Sequence, residues 1–192
     1  MQLRTQRRRH QRGILAVEFA IVLSVLLLLL FGLMAVAQGL YAFNTVQEVS
    51  RRAAAAAAKT DFNDAAALQQ IRQSAVFRSN PGVLAFAAPI SDAHVRIDYL
   101  SISRAADGSL SLLPMALLPA TPAANRVACA ADPYDTQCVQ FVRVRLCDVA
   151  DAVSCQPVTL DSIFPWVQLN ITLTTATTIV KTDGLGYVAS PL

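Results

Sequence analysis

Two sets of side chains have the types and spacing to do chemistry: one carboxylate inside a long apolar run, and four cysteines far downstream. Residues 14–37 read ILAVEFAIVLSVLLLLLFGLMAVA, and Glu18 is the single charged residue among them. A carboxylate near the bilayer centre costs roughly 2.5–3.5 kcal/mol on insertion scales, so it is kept there with a partner or a role. Close to the interface it can instead snorkel or take up a proton. Cys129, Cys138, Cys147 and Cys155 form an even set in a compact region. Outside the cytoplasm such a set reads as two disulfides. Three connectivities are open, and neighbour pairing, 129–138 and 147–155, is the simplest. The pairs have eight and seven intervening residues and no histidine close by, which does not suit a structural zinc site. No metal is therefore expected.

The remaining polar residues carry less. Asp132, Asp135, Asp148 and Asp151 lie near the cysteines without calcium-loop spacing and read as solvated loop carboxylates. His10 precedes the apolar run, and His94 reads as a surface residue on a strand. No G-x-S-x-G, Walker A, G-x-G-x-x-G or H-E-x-x-H pattern occurs. The chain is read as a non-enzyme without a cofactor.

These residues need elements to position them. The 192 residues are 54% hydrophobic and 15% charged, with a mean hydropathy of +0.44; ordinary globular chains carry about 25% charged residues. The excess is localised. A helix over 14–37 spans roughly 36 Å at 1.5 Å per residue, enough to cross a hydrocarbon core of about 30 Å. Arg4, Arg7, Arg8, Arg9 and Arg12 sit just before it, and no acid precedes Glu18. The positive-inside rule puts the N-terminus in the cytoplasm and the rest outside. The same arginines account for the net charge of +3: without residues 1–13 it becomes −2. No nucleic-acid partner is indicated. Ala35-Val36-Ala37 also has the small-x-small form that signal peptidases cut, so a secreted or periplasmic product beginning at Gln38 is a rival, as is a permanent single-pass anchored binding protein.

Past the span, Gln38 to Lys59 continues as helix, with Leu40, Phe43, Val46 and Val49 as an apolar stripe and Ala53–Ala58 as strong helix former. Asp61 or Asp64 can cap a second helix over about 62–78, with Leu68, Ile71, Ala75 and Val76 on one side; Ser79-Asn80-Pro81-Gly82 ends it. Residues 94–100 alternate, with Val95, Ile97 and Tyr99 on one face. Ala106-Asp107-Gly108-Ser109 reads as a hairpin turn with Leu110–Leu113 returning. Residues 114–126, with three prolines, read as a loop. Val139–Leu146 alternates again, Thr159–Phe164 reads as a short turn or helix, and Gln168–Lys181 reads as one long strand. The fold class is α+β: a long N-terminal membrane-spanning helix packed on a small antiparallel sheet of about four strands.

The string Arg12-Gly13-Ile14-Leu15-Ala16-Val17-Glu18-Phe19, the run Leu26 to Gly32, the exit Gly39-Leu40-Tyr41-Ala42-Phe43 and the stretch Arg51 to Ala58 together resemble type IV pilin-like proteins. Among these they most resemble the TadE-like pseudopilins of the tight-adherence (Flp) pilus system. Phe19, where major Flp pilins usually carry tyrosine, and the chain length fit that branch. The resemblance covers about residues 7–60. It implies a pilin-like fold, with the boundaries 1–13 basic leader, 14–37 transmembrane helix, 38–60 extramembrane continuation and 61–192 extracytoplasmic head. It implies cleavage by prepilin peptidase between Gly13 and Ile14, and pairing of Glu18 with the new Ile14 amine of a neighbouring subunit, so that each charge satisfies the other in lipid. The implied setting is the bacterial inner membrane. The implied partners are prepilin peptidase, other pilin and pseudopilin subunits, the inner-membrane assembly platform and the lipid bilayer. Adhesion follows from the same resemblance.

Overall fold

The computed structural model describes residues 3–150, 154–161, 171–182 and 184–186, with side chains from residue 15 onward. The chain divides into two compact units, Met1–Leu40 and Tyr41–Leu192.

Helix α1, Leu3–Ala57, supplies all regular structure of the first unit. It begins ahead of Ile14 because arginine, glutamine and leucine are good helix formers, and one glycine costs only about 1 kcal/mol against alanine. From Leu15 to Val36 its large apolar side chains, half-buried Phe31 apart, are exposed, among them Leu15, Phe19, Val25, Leu28 and Leu33. A helix apolar on every face and largely uncovered suits an apolar solvent.

In the second unit, α1 buries Ala42, Val46, Val49, Ala53, Ala54 and Ala57. This corrects the expected stripe: Leu40 is 60% and Phe43 45% exposed. Each step of three residues falls about 60° short of a full turn, so positions 40 and 49 lie on opposite sides of the helix. The observed stripe steps mostly by four and three and stays on one face. Its alanines let the sheet come close.

Helix α2, Ala65–Ala75, is capped by Asp64, whose Oδ1 accepts from Ala67 N at 2.9 Å. Ile71, Ala75 and Val76 are buried and Leu68 packs against the same core, as their spacing predicts. The helix ends earlier than expected. Phe77 takes a left-handed φ of 57°, and Arg78 N reaches back to Gln73 O at 3.0 Å, closing the helix before Pro81-Gly82. His94 closes a 3-10 turn over Asp92–His94 and leads into β1, Val95–Arg104.

The main sheet is antiparallel, in the order β2-β1-β3-β6. Strand β2 is Leu110–Pro114, β3 is Phe141–Leu146 and β6 is Thr177–Lys181. The 105–109 turn forms as expected: Gly108 sits at φ 85°, and Asp107 Oδ1 accepts from Ser109 N and Oγ. Val95, Tyr99, Val142 and Val144 are buried on the face toward α1. Across that interface Ser50, fully buried on α1, bonds Thr178 of β6 at 2.8 Å.

Three expectations fail in the C-terminal half. Residues 114–126 are not all loop: α3 runs Pro122–Ala131, with Thr121 Oγ1 accepting from Ala124 N and Pro122 in the first turn. A proline there costs nothing, because the first-turn N–H has no helical partner anyway. Gly186 lies against this turn, where a Cβ would meet the Pro122 ring at 2.8 Å. The expected long strand is also interrupted. β5, Ile171–Thr172, pairs instead with β4, Thr159–Leu160, in a separate two-stranded sheet. Thr159–Leu160 is thus strand rather than turn or helix. Residues 162–164 and 168–170 of those expectations, and Asp151, lie outside the described residues.

Candidate functional site

Gly13 and Ile14 lie within α1, an uninterrupted stretch of helical backbone; their immediate side-chain surroundings lie outside the described residues. One turn on, Glu18 is exposed, and it has no ion-pair partner among the described residues. Phe19 beside it is 67% exposed. Ser24 folds its hydroxyl back onto Ala20 O at 2.7 Å, so the helix meets its own polar demand there. Glu18 has no such recourse: i,i+4 spacing offers it Ile14 and Val22, both apolar. A carboxylate on an exposed apolar helix, with no ion-pair partner among the described residues, suits an interaction with a cation from elsewhere.

The cysteines belong to the second unit. Cys129 of α3 is bonded to Cys138, and Cys147 after β3 to Cys155. Each bond flanks β3. Beside the first, buried Asn125 grips Val139 on both sides: its Oδ1 accepts from Val139 N at 2.7 Å and its Nδ2 donates to Val139 O at 3.2 Å. Asn125 was not singled out from the sequence, since a side chain that satisfies a distant backbone leaves no local pattern. Asp132, Asp135 and Asp148 each accept from a backbone N–H two residues ahead, ordinary turn chemistry. No cluster able to hold a metal exists among the described residues.

His94 is corrected by the structure. It is buried rather than on the surface, and its Nδ1 accepts from Ser91 N at 3.1 Å. Burial pushes its pKa below the ordinary value; Asp148 and Asp92 pull the other way, and burial prevails. Tyr99 is buried against Phe62 and donates to Ala57 O at 3.2 Å, near the end of α1. Burial pushes its phenol above the usual range. On the far face of the sheet, Asp98 Oδ2 accepts from both Arg143 and Arg145, at 2.7–3.2 Å.

No curated protein and no solved structure matches the chain. Among the described residues one helix is long and apolar enough to cross a membrane, and it suits a single-pass anchor. Its apolar portion lies within a family match: over residues 13–55 the chain is similar to the family described as TadE-like protein, consistent with a protein of the tight-adherence pilus system.

Proposed function

We propose that the protein is a minor, pilin-like subunit for assembly of a tight-adherence pilus, trimmed by prepilin peptidase between Gly13 and Ile14. The observation that carries this reading is Glu18. It is the one charge in the apolar run 14–37, five residues into the chain that such a cut would leave, and within the family-matched segment. Trimming creates an α-amine at Ile14 that is positively charged at neutral pH. The amine of one subunit and Glu18 of the next neutralise one another where either alone is costly. The uncut chain has no such amine, so cutting switches assembly on. The head then stays outside the cytoplasm, held by its disulfides, and the assembly platform receives the trimmed helix.

N-terminal sequencing of the mature protein, from cells with and without prepilin peptidase, tests this. The expected terminus is Ile14, in peptidase-containing cells alone. A terminus at Gln38 would establish a signal-peptidase product. An uncut chain in both would establish a permanent anchor.

A further inference from the structure

Residues 83–90, VLAFAAPI, form a surface loop without one polar side chain. Its root is firm. Leu84, Ala87 and Ile90 are buried, Leu84 N donates to Ile90 O at 2.7 Å, and Ala87 N donates to Leu84 O at 3.2 Å. Arg78 holds the first residue, its guanidinium donating twice to Val83 O, at 2.9 and 3.2 Å. Phe86 stands out from this root. It is 72% exposed, and its φ of 58° lies in the left-handed region that a bulky side chain rarely enters. The head gains little burial from a ring so placed. A rooted loop that holds an aromatic ring outward serves something outside the head.

The ring that Phe86 touches points to what lies there. Phe86 and Tyr41 meet edge to face, with centroids 6.4 Å apart, and Tyr41 is itself exposed. Tyr41 comes four residues after Ala37, the end of the apolar run, a helical rise of about 6 Å. The headgroup layer is about 5–8 Å deep on each side of the hydrocarbon core. With the run in the membrane, Tyr41 stands in that layer, where aromatic rings collect, and Phe86 stands beside it. Leu40 and Phe43, exposed on the same turn of α1, extend the apolar surface. Phe77 is the contrast. It too is exposed with a left-handed φ, but its ring lies under the Arg52 guanidinium, 4.5 Å from the centroid. Arg52 is eleven residues past Tyr41, about 16 Å of further rise and beyond the headgroup layer.

We propose that the loop 83–90 is a lipid-binding site of the head. It seats in the headgroup layer of the bilayer with Phe86 beside Tyr41, a membrane contact separate from the helix. The inference rests on residues 14–37 crossing the membrane.

The test replaces Phe86, Phe77 or Leu28, one at a time, with the photoreactive p-benzoylphenylalanine. All three side chains are exposed, so the probe displaces no core residue. Each full-length chain is reconstituted in vesicles of phosphatidylethanolamine and phosphatidylglycerol and irradiated, and mass spectrometry separates lipid adducts from protein adducts. Position 28, within the run, should give lipid adducts. Position 86 should give them too, at a yield at least tenfold above that at position 77. Lipid adducts at 28, with no more at 86 than at 77, overturn the loop contact and leave the span standing. No lipid adduct at 28 overturns the span, and the loop contact with it. Adducts at 86 to a second copy of the chain in place of lipid assign the loop to a protein interface and overturn the proposal.

Discussion

At the scale of single residues, buried polar groups hold the head. The Tyr99 hydroxyl is the clearest, since it satisfies a carbonyl in the last turn of α1, where helical partners run out. Tyr99→Phe should keep the ring contact with Phe62 and lower stability by about 1–2 kcal/mol through the lost hydrogen bond. Denaturant unfolding checks this; a loss below about 0.3 kcal/mol would mean that water replaces the phenol freely. His94 adds a pH dependence. Its folded pKa is depressed, so the unfolded chain binds a proton more readily. Stability is therefore full above the ordinary histidine value of about 6.5 and falls as the pH drops below it. His94→Asn, which can still accept from Ser91, should flatten that fall between pH 7 and 5. Superimposable pH profiles of the two proteins would remove His94 from the account. Neither residue's role was legible in the sequence. Tyr99 was placed on the correct face by alternation, but the carbonyl it reaches lies 42 positions away. His94 sits where a strand pattern begins, and only the Ser91 turn folds its ring inward.

At the scale of elements, legibility follows how local the cause is. The Asp64 cap, the turn at Gly108 and the alternation of β1 and β3 all depend on a few neighbouring residues, and the sequence predicts each. The stripe on α1, the start of α3 and the break between β5 and β6 depend on what packs against them. Thr121-Pro122 carried a readable start signal for α3 that the surrounding prolines masked. The Thr-rich run to Lys181 has no breaker within it, and it splits because its two parts pair with different strands. The polyalanine segment has a second role beyond propensity: Ala53, Ala54 and Ala57 are fully buried. A larger side chain there must push helix and sheet apart. Ala54→Leu should lower intrinsic helicity only slightly, yet destabilise the head by about 1–3 kcal/mol through overpacking. Ala55→Leu, on the exposed side of the same turn, should leave stability within about 0.5 kcal/mol. Equal effects of the two substitutions would show that the tight approach of the sheet does not set the choice of alanine.

At the scale of the whole molecule, charge and redox chemistry are coupled through topology. The five arginines before the apolar run outweigh Arg51 and Arg52, the basic residues nearest its far end. Orientation is set by lysine and arginine near the ends of a span, and acids count little. Replacing Arg4, Arg7, Arg8, Arg9 and Arg12 with glutamine moves the excess to the other flank, while leaving Glu18, the apolar run and the head untouched. A fraction of chains should then insert with the head in the cytoplasm. There the four cysteines meet a reducing pool. Each disulfide closes a short loop, by nine and eight positions, and losing either removes roughly 2–3 kcal/mol by chain-entropy reasoning. The misoriented chains should therefore carry free thiols and be degraded faster. Alkylation before and after reduction, read as a mobility shift, distinguishes the two populations. The parent chain should show no free thiols, and the five-glutamine variant a reduced band that grows as arginines are removed. A fully oxidised variant would mean that the arginines do not set orientation, leaving them only the role in processing proposed above.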